Sequence, residues 1–167
     1  MSLEEMQARV RKLQDIEDIK KLHRKYIFML SNYQWSDMVE CFSKNAVADL
    51  DPDGKYIGKE EIRKLIVGVI GERINPLRPK GGQILDQPII IVDGDKATGI
   101  WFMNRYNSND TTKEHWRIMK QYYNYPETVE AKPPQISRGK YDAEYVREDG
   151  EWKFHSLKWN FPWPRYD

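Results

Sequence analysis

Two stretches in the second half of the chain, "PIIIVDGDKATGIWFMNRY" and "RGKYDAEYVREDGEWKFHSLKW", each set a glycine-bearing turn between runs of branched and aromatic residues. Such runs fit a pleated, half-buried surface better than a helix, and the short turn closes a hairpin. The sequence therefore commits to a mostly antiparallel sheet. Period-two alternation puts Trp101, Met103 and Arg105 on one face of a strand and Ile100, Phe102 and Asn104 on the other.

The residues ahead of this sheet follow a helical period. Ile16, Ile19, His23, Tyr26, Leu30 and Tyr33 recur in steps of three or four, which predicts a helix from about Gln14 to Ser31 with that stripe turned inward. "SDMVECF" reads as a short second helix with Ser36 or Asp37 as N-cap, carrying Cys41. "GKEEIRKLIVGVIGE" reads as a third, with Glu60 and Glu61 in the first turn, where the helix dipole favours acids, and Gly71 closing it. Three helices followed by a mostly antiparallel sheet make an α+β domain.

Between the hairpins, about 30 residues at 107–137 match no strand and carry Trp116, Tyr122, Tyr123 and Tyr125. A connection this long in a compact domain is usually functional or disordered. Its aromatic content points to a lid that packs on something. The whole chain, 167 residues, is the size of one domain.

Charge excludes one class of partner. With 27 Lys and Arg against 26 Asp and Glu, the net charge of +1 gives no field for a polyanion, so nucleic acid is not expected. Nor is a membrane partner, because no apolar run reaches the roughly 18 residues of a span. The single Cys41 forms no internal disulfide and there is no zinc-type Cys/His spacing, so a reducing, cytoplasmic setting is expected. Asp49, Asp51 and Asp53 lack the terminal glutamate of a calcium loop, and "DPDG" suffices as a turn.

Four segments taken together, "IEDIKKLHRKYIFML", "FSKNAVADLDPDGKYIGKEEIRKLI", "DKATGIWFM" and "YDAEYVREDGEWKF", resemble the polyketide cyclase-like (SnoaL-like) branch of the nuclear transport factor 2-like superfamily. The resemblance implies a cone-like α+β barrel, in which a curved sheet wraps the helices around a deep apolar pocket. It also implies lyase-type chemistry with no metal or organic cofactor, as in scytalone and bile-acid dehydratases, hexachlorocyclohexane dehydrochlorinase and lignin-dimer lyases. The superfamily equally includes small subunits of ring-hydroxylating dioxygenases, which do no chemistry of their own.

In the dehydratases an Asp near the end of the first helix orients a His from the sheet. Matched along the chain, the Asp position is Ser31, and the His falls in "GGQIL", near Gly82, with Leu85 beside it on the pocket wall. Neither partner of the dyad is present. The groups that the resemblance leaves facing the pocket are Tyr26, Trp101, Met103, Arg105 and Tyr141, together with Lys153, His155, Leu157 and Trp159 on the last strand. Leu157 stands where the dehydrochlorinase has an anion-binding arginine. Trp152 and Phe154 are assigned to the opposite face.

From this set, His155 is the expected acid or base, since an imidazole near pKa 6.5 exchanges protons at neutral pH. Tyr26 is the expected proton donor to a leaving hydroxyl. Arg105, always charged, would hold an enolate, phenolate or carboxylate. Trp101, Met103, Tyr141 and Trp159 would sandwich a ring. His23 lies one turn before Tyr26 on the same stripe, and His115 and Lys120 sit in the lid; each is a further candidate for ligand contact. The expected activity is a cofactor-independent lyase, dehydratase-like or C–C cleaving, on a small hydrophobic, hydroxylated aromatic or polycyclic compound. An isomerase or cyclase, or a non-catalytic binding protein or dioxygenase-type subunit, is the alternative. A homodimer or homotrimer is expected.

Overall fold

A computed structural model of the chain describes residues 1–75, 81–107, 136–161 and 163. Residues 108–135 of the expected lid, with His115 and Lys120, lie outside the described residues. Helices α1 (Leu3–Ser31) and α2 (Trp35–Val39) come first. A hairpin of β1 (Phe42–Leu50) and β2 (Gly54–Ile57) follows. Next is α3 (Lys59–Arg63), which runs without a break through a π-helical stretch, Lys64–Gly71, into α4 (Glu72–Ile74). Four long strands complete the order: β3 (Gly81–Asp93), β4 (Lys96–Asn107), β5 (Ile136–Glu148) and β6 (Glu151–Asn160). No helix among the described residues is long and apolar enough to cross a membrane.

The six strands form one curved, unclosed sheet in the order β2-β1-β6-β5-β4-β3, antiparallel except where β1 runs parallel to β6. The mixed α+β cone expected from the sequence is thus the fold. Both expected hairpins are present. The second closes through Asp149 and Gly150, which have φ of 52° and 80°. Two consecutive positive φ values match the right-handed twist of the flanking strands, and glycine adopts one of them without strain.

Three boundaries depart from the expectation, each for a physical reason. Helix α1 begins eleven or so residues earlier than its apolar stripe, because Ser2 and Glu5 form a reciprocal cap: Glu5 N–H donates to Ser2 Oγ at 3.1 Å and Ser2 N–H to Glu5 Oε2 at 2.7 Å. A stripe of apolar residues marks where a helix is covered, not where it starts. Helix α2 ends at Val39, and Phe42, expected within that helix, instead begins β1, a strand over residues to which the sequence pattern assigns no element. The third helix passes through Gly71 as far as Ile74; Gly71 serves the Trp35 indole, whose Cδ1 would lie 3.1 Å from any Cβ there.

The inner face of the sheet and α1 enclose the core. Beside the β5–β6 turn, Asp15 of α1 accepts from Arg147 and from Trp152 Nε1 (3.2 Å), while Arg147 covers the Trp152 ring at 4.6 Å and also donates to Asp95 at 3.0 Å. This cluster pins α1 to the β5–β6 hairpin and sets the direction in which the helix enters the cone. Asp53 is taken up by Arg73 through two hydrogen bonds of 2.7 and 3.1 Å. Among the described residues no group of three His, Cys, Asp or Glu side chains lies close enough to hold a metal ion.

Candidate functional site

Two turns beyond Asp15, the inward stripe of α1 delivers His23 and Tyr26 to the middle of the sheet's inner face. His23 is wholly buried and Tyr26 nearly so. Strand β4 contributes Trp101 and Met103, and β5 contributes Tyr141 and Tyr145. Register explains the arrangement: Trp101 pairs with Tyr141, and Ala97 with Tyr145, so the small residues Gly99 and Ala143 form the gap in which the large rings lean together. Phe154 from β6 and Phe42 from β1 close the remaining sides.

His23 is the centre of this box. Its ring lies 4.5 Å from that of Trp101, 5.1 Å from Tyr141, 5.1 Å from Phe154 and 6.3 Å from Tyr26, the last three edge-on. Edge-to-face packing sets the positive edge of one ring on the negative face of another, worth about 0.5–1.5 kcal/mol per pair. Tyr26 also packs edge-on against Phe42 at 5.9 Å and Phe154 at 5.3 Å.

A hydrogen-bond chain runs through the box. Trp101 Nε1 lies 2.8 Å from Tyr145 Oη, which lies 2.9 Å from His23 Nδ1. Indole is a donor only, so Tyr145 Oη accepts from Trp101; the arrangement that also gives the Tyr145 proton an acceptor has Tyr145 O–H donating to His23 Nδ1. Among the described residues His23 Nε2 has no hydrogen-bond partner; the other such buried side-chain atom is Ser43 Oγ at the start of β1. An orphaned buried donor costs about 1–3 kcal/mol, so a protein that keeps one either fills it with a ligand or carries the loss.

Burial sets the protonation states. It pushes His23 down to about 3, so the imidazole is neutral at physiological pH, because a charge in this box would lose its hydration. Burial raises both Tyr26 and Tyr145 well above the usual phenol range, with the nearby Cys41 adding to the effect on Tyr26. Both phenols are therefore donors.

The expected site residues divide into three groups. Tyr26, His23, Trp101, Met103 and Tyr141 come together, with Tyr141 Oη 4.0 Å from Met103 Sδ. Trp159 joins them half-buried: it lies 4.4 Å from the Tyr141 ring and directly over Gly139, where a Cβ would fall 1.9 Å from the indole. Leu85 pairs with Met103 and Arg105 with Gln83, both half-buried further along the same face. Ser31, at the end of α1, is exposed and donates to Gln83 Oε1 at 3.2 Å.

The last strand overturns the assigned parity. Between Glu144 and Tyr145 the β5–β6 register jumps from Ser156 to Phe154, leaving His155 as the extra residue of a β-bulge. Before it, Trp152 and Phe154 face inward; after it, Leu157 and Trp159 do. His155 is exposed, and Lys153 turns out to Glu151 at 2.9 Å. Neither lies in the box, which removes His155 from the role of base there. Tyr145 was absent from the expected set although it shares the face of Tyr141, four residues away on one strand, and that parity was legible. Phe154 was hidden by the bulge.

The SnoaL-like domain matches residues 11–158, nearly the full length. The chain belongs to the SnoaL-like family. No curated protein matches it. Among solved structures, an NTF2-like protein with a cystatin-like fold from Novosphingobium aromaticivorans superposes with a TM-score of 0.67 at 16% identity, covering 95% of this chain and 88% of that one. A candidate scytalone dehydratase from the same organism gives 0.65 at 15%, covering 93% and 97%. A hexachlorocyclohexane dehydrochlorinase of the LinA type from Novosphingobium barchaimii gives 0.61 at 18%, covering 91% and 87%. At such identities the likeness establishes the NTF2-like fold.

Proposed function

We propose that this SnoaL-like protein is a cofactor-independent lyase that removes water, or cleaves a C–C bond, from a small hydrophobic ring compound bearing a hydroxyl. The observation that carries the reading is the aromatic box around Tyr26, whose polar heads are buried and uncharged. The family, and fold neighbours that include a dehydrochlorinase and a candidate dehydratase, support the same class.

The chemistry follows from the state of Tyr26. A phenol held far from ionisation gives its proton only to a strongly basic atom, such as a hydroxyl oxygen leaving with the C–O electron pair. The phenolate left behind is then a strong base, and it takes the proton from the adjacent carbon as the double bond forms. Water departs and Tyr26 is restored. Trp101, Tyr141 and Trp159 hold the ring by stacking, and Arg105, further along the same face of β4, stabilises an anionic substituent. Incubating the protein with hydroxylated bicyclic ketones and following the mass of each tests this. Water loss that Tyr26→Phe abolishes is the expected result.

A second reading, a non-catalytic binding protein, is favoured by one observation: the dyad position Ser31 is an exposed serine bonded to Gln83. Tight binding of the same ketones without turnover would decide for it. In either case we propose a homo-oligomer joined through the outer face of β3 and β4, where Ile89 and Ile91 are each 63% exposed beside Ile100. Light scattering should show a dimer or trimer that Ile91→Lys dissociates; a monomeric wild type refutes it.

A further inference from the structure

Resting on the ring-binding lyase reading above, we propose that His23 is a further donor to the ligand, distinct from Tyr26 at the leaving hydroxyl. Delivered by α1 rather than by the sheet, it donates Nε2–H to a carbonyl or phenolate oxygen of the bound ring. Tyr145 is the positioning residue that fixes the imidazole in that tautomer.

One tautomer leaves every proton of the chain from Trp101 to His23 Nδ1 with an acceptor. Trp101 can only donate, Tyr145 Oη accepts from it, and the Tyr145 proton then occupies the path to His23 Nδ1. A neutral imidazole carries one proton, so that proton is on Nε2. The two ring nitrogens leave the imidazole in widely divergent directions, and with Nδ1 on Tyr145, Nε2 faces away from that phenol. The rings packed around the other sides of the imidazole, Tyr26, Tyr141 and Phe154, supply it with no hydrogen bond.

Gly99 is the sequence's provision for this chain. Any Cβ there would lie 2.9 Å from Tyr145 Cε2 and 3.1 Å from both Trp101 Nε1 and Tyr145 Oη, so a side chain would part the two groups that set the tautomer. An N–H donor held neutral suits an oxygen that becomes more negative during the reaction. It strengthens its hydrogen bond as charge develops and does not surrender its proton to the ligand in the ground state. The chemical class selected is a ring whose buried pole is an acceptor oxygen.

The test uses the 15N-labelled full chain. The three histidines are assigned by His115→Gln and His155→Gln, and long-range 1H–15N spectra report the tautomer of His23. The probes are naphthalene, 2-tetralone and 2-naphthol, which share a bicyclic frame and differ in the oxygen. We expect the Nε2–H tautomer in the free protein, a downfield shift of that proton with 2-tetralone, and about five- to tenfold tighter binding of 2-tetralone than of naphthalene, the range of one hydrogen bond. His23→Phe should abolish the preference without losing naphthalene. Tyr145→Phe should mix the tautomers and reduce the preference, a signature that a merely structural tyrosine would not give. An Nδ1–H tautomer, or equal affinity for the three probes, overturns the proposal while leaving ring binding intact; in the second case the N–H rests on a ring face. The Nε2–H tautomer with no probe bound overturns the ring-binding reading, and the proposal with it.

Discussion

Acid should destabilise this protein through one identifiable side chain. His23 is wholly buried and its pKa lies at about 3, whereas in the unfolded chain it returns to 6.5. Because the folded value is the lower one, the unfolded chain binds a proton at pH values where the folded chain does not. The contribution to stability is fully present above pH 6.5, is lost as pH falls from there, and stops changing below about 3. Each unit is worth about 1.4 kcal/mol, so at two units below the unfolded value the loss is about 2.7 kcal/mol. Urea slopes are about 1–3 kcal/mol per molar, which converts that loss into a midpoint lowered by about 1–2.5 M. Carboxylates titrate over the same range, so the measurement is the wild type minus His23→Phe, with urea midpoints taken at several values from neutral to mildly acidic. The variant should start less stable at neutral pH, having orphaned the Tyr145 hydroxyl, and then fall more gently. Parallel curves for the two proteins would mean that His23 is hydrated, and the dry box would be refuted.

Three further outcomes follow from the same geometry. His155→Ala should change stability by no more than about 0.5 kcal/mol and leave any turnover untouched, since the residue is an exposed bulge position; loss of activity would return His155 to the site. Gly99→Ala should lower stability by about 1–3 kcal/mol through overpacking against Tyr145 and Trp101, measured by urea unfolding; a neutral effect would mean that the rings have room to part. The Cys41 thiol is buried and pushed up to about 11 by that burial, so a disulfide reagent at mildly alkaline pH should label it only after unfolding. Fast labelling of the folded chain contradicts that.

The elements best read from the sequence are those whose signal is local and repeated. The stripe Ile19, His23, Tyr26 was legible because a helix buried along one side needs it, and the same stripe put His23 and Tyr26 in the interior, where they are buried. On β4 simple alternation put Trp101 and Met103 inward and Arg105 on the same face. What was not legible depended on partners far away in the chain. Strand β1 is short of obvious signals because it is stabilised by lying parallel to β6, about 110 residues further on. The hydrogen bond that makes His23 a defined donor depends on Tyr145 and Trp101, each neutral and unremarkable in its own segment. A capping box extended α1 through residues that have nothing to bury.

The bulge at His155 bears on how relatives should be aligned with this chain. Its two apolar halves, Trp152 with Phe154 and Leu157 with Trp159, are out of phase by one residue yet share a face. A relative whose last strand lacks the bulge must be aligned with a one-residue gap at position 155. Without the gap, every residue transferred to one half of the strand changes side. The same count makes deletion a different perturbation from substitution. Removing His155 restores unbroken alternation and straightens the strand, whereas replacing it leaves the extra residue, and the curvature it brings, in place.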